Sequence, residues 1–156
     1  MRTAWDKAFG LNVSRIYDNL YVGGQFTPEQ WPRLHALGIR AVLSLQEEYE
    51  DRFAGTPPER SLRLLVPDFQ APTLEQLQAG VAFIEAAHAD ELPVMVHCHA
   101  GMGRAPLTAA AYLVTCGASV EAALIHITEQ RPIVGLNTVQ LKRLYEWESL
   151  VRNSEA

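Results

Sequence analysis

The 156-residue chain is 48% hydrophobic and 20% charged, with Lys+Arg 13 against Asp+Glu 18 and a formal net charge of -5. Residues 1–156 are expected to form one domain, which at this size buries roughly 70% of its unfolded surface and needs no disulfide or metal staple. The apolar content excludes a disordered chain, and the acidic balance argues against nucleic acid or an anionic membrane as the main partner.

Strand-like and helix-like segments alternate along the chain. The expected fold is α/β, with a central, mostly parallel sheet of about four to five strands flanked by helices. The opening Met1–Lys7 stretch has no apolar core and does not read as a signal peptide. Leu20-Tyr21-Val22 reads as a short strand closed by Gly23-Gly24. Thr27, Pro28 and Gln30 then supply an N-cap, an N1 proline and an N3 glutamine for a helix that Pro32 makes irregular and Gly38 ends. Ile39–Leu45 is a buried-strand candidate. Gln46–Arg60, with its acidic residues, Gly55 and Pro57-Pro58, reads as a surface loop and the most mobile stretch. Leu62–Val66 is the next strand, stopped by Pro67.

Thr73 and Gln76 make a second capping box, and Leu74, Leu77, Val81, Ile84 and Ala87 follow helical spacing. Val94-Met95-Val96 is wholly apolar, as a central parallel strand should be. A glycine-containing turn leads to a buried, Ala-rich helix over Leu107–Cys116. Ser119 opens a further helix to about Gln130, and Asn137 opens the last, to about Val151.

Chemistry concentrates in Val94–Pro106, VMVHCHAGMGRAP. A central strand runs into Cys98, five residues turn, Arg104 follows, and a helix begins with Pro106 near its N1. Gly101 and Gly103 permit backbone conformations that point the N–H groups of residues 99 to 104 inward as an anion nest. The helix start adds its positive dipole end, and the Arg104 guanidinium can grip two phosphate oxygens at once. The same field is expected to favour the thiolate of Cys98, which is then available to attack phosphorus. A Cys and an Arg six apart arise by chance in roughly one chain of this composition in seven, so the pair alone says little. The strand, His97, the glycines and the helix make the pattern specific. A buried structural thiol, the plainer reading of Cys98, needs neither the glycines nor the arginine. Cys116, in an apolar run, reads as inert core. Two cysteines make no disulfide framework and suggest a reducing, cytoplasmic setting.

His97-Cys98-His99-Ala100-Gly101-Met102-Gly103-Arg104 resembles the signature loop of the cysteine-dependent protein tyrosine phosphatases, and the flanking sequence resembles their small atypical dual-specificity branch. The similarity runs from Ile16–Gly24 through Gly38–Val42, Val66–Phe69 and Ala71–Thr73 to Arg131-Pro132. It implies a two-step reaction through a phosphocysteine with no metal or cofactor. It also makes His99, Ala100, Gly101, Met102, Gly103 and Arg104 the phosphate-binding loop, and His97 a support that hydrogen-bonds the loop and tunes Cys98. His99 is expected at the pocket rim. His35, His88 and His126 show no metal-ligand spacing.

Asp68, between Pro67 and Phe69, is the general-acid candidate. An Asp after Pro is ordinarily a turn former. However, if the strands before Asp68 and Cys98 are parallel, both residues lie at the same sheet edge, where ligands of open α/β sheets bind, and the resemblance puts the acid at this position. Gln140 has two compatible readings: N3 of a capping box with Asn137, or, by resemblance, a side chain that positions water. One departure matters. The family carries Ser or Thr directly after the arginine, and here Ala105 stands there, so breakdown of the phosphocysteine is slow or another donor, His99 or Gln140, substitutes.

The leading expectation is therefore a monomeric phosphomonoester hydrolase. Its partner would be a phosphorylated protein or small phosphate ester, phosphotyrosine first and phosphoserine or phosphothreonine second, with no nucleic acid and no membrane insertion. The alternatives are a phosphate-binding module that no longer turns over, sulfur or arsenate chemistry on a similar anion loop, a phosphatase of other small phosphate esters, and a phosphoinositide phosphatase. His99 and Met102, in place of lysines, disfavour the last.

Overall fold

The computed structural model describes residues 10–155; the Met1–Lys7 reading lies outside them. The elements in chain order are β1 Val13–Tyr17, β2 Leu20–Gly23, a 3-10 turn Pro28–Gln30 running into α1 Trp31–Ala36, β3 Ala41–Ser44, β4 Arg60–Arg63, α2 Leu74–Ala89, β5 Val94–His97, α3 Arg104–Thr115, α4 Val120–Gln130 and α5 Thr138–Glu155. The five strands lie in the order β1-β2-β5-β3-β4. Only β1 is antiparallel to its neighbour; β2, β5, β3 and β4 pair in parallel.

The apolar strands explain the layers. Side chains alternate across a strand, so Leu20, Val22, Ala41, Leu43, Val94 and Val96 enter a large core shared with α2 to α5, while Tyr21, Val42 and Met95 face a smaller one with Trp31 and Leu34 of α1. A sheet covered on both faces needs apolar residues at successive positions, and β2, β3 and β5 are buried throughout. The first two capping boxes form as expected, Thr27 with Gln30 and Thr73 with Gln76. None of the described helices is long and apolar enough to cross a membrane.

Four expectations need correction. β1 was not anticipated as a strand; it reaches β2 through the two-residue Asp18-Asn19 turn, with a register shift between Arg15 and Tyr17 that blurs its alternation. The strand expected at Leu62–Val66 lies at Arg60–Arg63, because its partner β3 ends at Ser44, opposite Arg63; beyond that pair the chain turns and carries Val66 to the site. α3 starts at Arg104, so Pro106 sits within the first turn, where its missing N–H costs nothing. Cys116 is exposed, since it is the C-cap where α3 emerges into solvent.

Candidate active site

β5 is the central strand, and it delivers Cys98 one residue past its C-terminal end. Strand alternation separates the two neighbouring side chains. His97 points to the α1 side, against Phe26 at a ring distance of 5.0 Å, while Cys98 turns to the opposite face and is 2% exposed.

The loop after Cys98 is shaped from outside. The His99 carbonyl accepts from Gln25 N at 2.8 Å, and the Met102 carbonyl from Gly135 N at 3.0 Å. The Ala100 carbonyl accepts from Asn12 Nδ2 at 3.2 Å and from an Arg131 terminal nitrogen at 3.1 Å; the Gly101 carbonyl accepts from Arg131 Nε at 2.8 Å. The Cys98 carbonyl faces His97 Nδ1 at 3.4 Å. A trans peptide sets C=O and the following N–H on opposite sides, so this row of outward carbonyls turns the amides of residues 99 to 103 inward, around the point that Cys98 Sγ addresses. This is the geometry of an anion-binding nest. Gly101 has φ +74, and a Cβ there would sit 2.6 Å from the Gly23 carbonyl oxygen and collide with the Arg131 guanidinium. Arg131, 1% exposed, also donates to Ser14 Oγ at 3.0 Å and Asn12 Oδ1 at 2.6 Å, so the arginine of the Arg131-Pro132 pair is the clamp beneath the loop.

Arg104 rises from the first turn of α3. Glu48 takes one proton from each terminal nitrogen, at 2.8 and 2.7 Å, and the Val66 carbonyl takes another at 2.7 Å. Five N–H donors on a guanidinium leave Nε–H and one terminal proton, and Asp68 Oδ1 stands 3.2 Å from that terminal nitrogen. Burial works against the Arg104 charge, and the Glu48 hydrogen bond with the charges of Cys98, Glu48 and Asp68 overcomes it, so its pKa is raised. The Arg104 hydrogen bonds hold the Glu48 carboxyl down at about 2 from 4.5, against a smaller opposing effect of burial.

A pocket of about 430 Å³ opens over these groups, lined by Asp68, Phe69, Cys98, Met102, Arg104 and Gln140 among others. Its acid-bearing wall is latched by α5. Asn137 Nδ2 donates to the Phe69 carbonyl at 2.8 Å, and Gln140 Nε2 to the Gln70 carbonyl at 3.2 Å. Phe69, 73% exposed at the mouth, adopts φ +66, a left-handed conformation rare for an aromatic residue. Gln140 also closes the capping box with Asn137, at 3.1 and 2.9 Å, so capping and pocket lining coincide in one side chain. Ala105 is fully buried in the core.

The structure thus gathers Cys98, Arg104, Asp68, the residues 99 to 104 loop and Gln140 around one pocket, with His97 behind it. Sequence reasoning read Gln46–Arg60 as the most mobile surface loop and assigned its acidic residues no partners. That loop is tied down by Glu48 on Arg104, by Asp51 on His97 at 2.6 Å and by the Trp31 Nε1 bond to the Thr56 carbonyl at 2.6 Å, and Phe53 packs on Phe26 and Trp31. Its acidic residues were visible, but nothing in their spacing assigns them partners 46 and 56 residues away.

A cysteine at the end of the central parallel strand, an amide-lined turn and an arginine on the next helix define a phosphate-loop protein of the cysteine-based phosphatase class. The family model described as polymorphic toxin system, DSP-PTPase phosphatase (Tc-R-P) matches residues 19–118, and the chain belongs to the dual-specificity branch of the protein tyrosine phosphatases. It is 30% identical to rat protein phosphatase Slingshot homolog 3 over 91% of this chain and 22% of that protein, so it spans about a fifth of that relative. It is 33% identical to human phosphatidylglycerophosphatase and protein-tyrosine phosphatase 1 over 72% of this chain and 61% of that one. The crystal structure of PTPMT1 in complex with PI(5)P superposes with a TM-score of 0.83 at 30% identity, covering 92% of this chain and 99% of that one.

Proposed function

We propose that this protein hydrolyses phosphomonoesters through a phosphocysteine on Cys98, with phosphotyrosine as the preferred group. The observation that carries the reading is the convergence of the Cys98 thiol, the inward amides of residues 99 to 103 and the free edge of Arg104 on one point, with Asp68 beside it. The phosphate oxygens take the loop amides and the two remaining Arg104 donors, displacing Asp68 from the guanidinium towards the leaving group. The Cys98 thiolate forms an S–P bond as the ester P–O bond breaks, and protonated Asp68 gives its proton to the departing oxygen. In the second step Asp68, now a carboxylate, takes a proton from water as its oxygen attacks phosphorus. The S–P bond breaks, releasing phosphate and the thiolate. We propose a reducing, cytoplasmic location, in keeping with a chain whose two cysteines make no disulfide framework.

Exposed Phe69 and Met102 give the mouth apolar walls suited to an aryl ring. The likeness to PTPMT1 bound to PI(5)P favours a second reading, a phosphoinositide-type substrate. Turnover of phosphotyrosine peptides, phosphoserine and phosphothreonine peptides and phosphoinositide micelles, with Cys98→Ser as control, separates them. Phosphotyrosine is expected to be turned over fastest, and Asp68→Asn is expected to lose most rate on the most basic leaving groups. Faster release from the phosphoinositide makes the second reading the right one. Retained phosphopeptide binding with no release from any substrate would make the protein a binding module.

A further inference from the structure

Asp51 belongs to no motif and is not among the residues lining the pocket over Cys98, yet it sits at the junction of the contacts that set the first part of the phosphate loop. Its Oδ2 accepts from His97 Nε2 at 2.6 Å, with the imidazole wholly buried and the carboxylate 10% exposed. The ring cannot turn away, because Phe26 packs against it. The carboxylate therefore fixes which edge of the imidazole faces the chain, and Nδ1 is held 3.4 Å from the Cys98 carbonyl. The other oxygen, Oδ1, accepts from Gln25 Nε2 at 3.4 Å. The Gln25 side chain also donates to the Phe26 carbonyl at 2.7 Å and accepts from Gln46 Nε2, and its backbone N–H holds the His99 carbonyl at 2.8 Å. One carboxylate thus reaches both the ring that faces the Cys98 carbonyl and the glutamine whose backbone N–H holds the His99 carbonyl. By peptide geometry these two carbonyls set the direction of the amides of residues 99 and 100.

We propose that Asp51 is a positioning residue for the nucleophile and the first two phosphate-binding amides, acting through His97 and Gln25. The proposal rests on the reading of Cys98 as the nucleophile. Asp51 touches no substrate, and a carboxylate that merely satisfied a buried histidine would affect folding alone.

The test uses the full chain in a Cys116→Ser background, so that alkylation reports on Cys98. Three readouts are compared for wild type, Asp51→Ala and Asp51→Asn: tungstate affinity by calorimetry, the rate of Cys98 alkylation by iodoacetamide, and kcat and KM on para-nitrophenyl phosphate. A nucleophile displaced by a fraction of an ångström to 1 Å costs up to about 10²-fold in rate. Asp51→Ala is expected to lose about that in kcat/KM, with weaker tungstate binding and altered alkylation. Asp51→Asn, whose amide oxygen still accepts from Nε2, is expected to recover part of each. Should Asp51→Ala fail to fold, Asp51→Asn and Gln25→Ala carry the comparison. Folded variants with wild-type tungstate affinity and alkylation rate overturn the proposal, even if their melting temperature falls. A wild type without turnover sinks the phosphatase reading instead, and the tungstate comparison still decides the part played by Asp51.

Discussion

The loop from Cys98 to Arg104 and the 46–59 segment form the front and the frame of one site, and their sequences differ sharply in how much they disclose. The loop is a local device. Its nucleophile, glycines and arginine lie within seven positions, and its conformation follows from steric rules at Gly101 and the helix start at Arg104. The 46–59 segment has no regular structure, yet two of its carboxylates reach the groups on either side of the nucleophile, His97 and Arg104. The loop presents its groups to the pocket; the segment holds those groups from behind. The expected consequence is a gradient, in which damage to the loop removes function and damage to the segment detunes it.

The steepest break in that gradient is expected at Gly101. Gly101→Ala must keep φ near +74 and place a methyl against the Gly23 carbonyl and the Arg131 guanidinium, both fixed by the fold. Neither can give way without turning an amide of the nest. A strained backbone and an overpacked contact together cost about 3 kcal/mol in stability. Phosphatase turnover, measured well below the melting temperature, is expected to fall by about 10²-fold or more. A variant with near wild-type turnover would show that the clamp by Arg131 does not shape the loop.

Glu48→Gln sharpens the comparison from the other side. The carboxylate holds Arg104 in a bidentate grip, and it also places a negative charge beside an incoming phosphate dianion. Replacing it relieves the repulsion, which lowers KM, and loosens the guanidinium, which lowers kcat. The expected result is a fall in kcat of about tenfold, smaller than for Gly101→Ala, with KM unchanged or reduced. A rise in KM with kcat intact would mean that Glu48 serves ground-state binding instead.

The same contrast explains what could be read from the chain. The buried strands, both N-terminal capping boxes and the signature loop were legible because each rests on contacts between residues close in sequence, or on an apolar run that one layer or another must cover. β4 was misplaced by two residues at its start and three at its end because the apolar Leu64, Leu65 and Val66 outweighed Arg60-Ser61, and the strand's position is set by where β3 stops. β1 was missed because Ser14 and Arg15 interrupt its apolar residues, and Ser14 is buried for a reason the local sequence does not contain, its bond to Arg131. Glu48 and Asp51 looked like solvated charges in a Gly- and Pro-bearing loop. Their partners lie past β4 and α2, and Arg104 past β5 as well, so only the closed fold brings them together.

The smallest expected effect isolates the frame without touching the chemistry. Glu48 has its pKa depressed to about 2 in the folded chain by the Arg104 hydrogen bonds, from 4.5 unfolded. A group depressed in this way contributes stability that is fully present above about pH 5 and is lost as the pH falls through about 2. The Glu48 side chain is 40% exposed, so solvent screening reduces the contribution to about 1 kcal/mol. Urea unfolding of wild type and Glu48→Gln should then differ by about 1 kcal/mol at pH 6 and converge near pH 2, with most of the change between pH 5 and 2. If the two proteins differ by the same amount at every pH, the contribution comes from packing rather than charge. The ion pair would then have to act in catalysis alone, through the direction in which it aims Arg104.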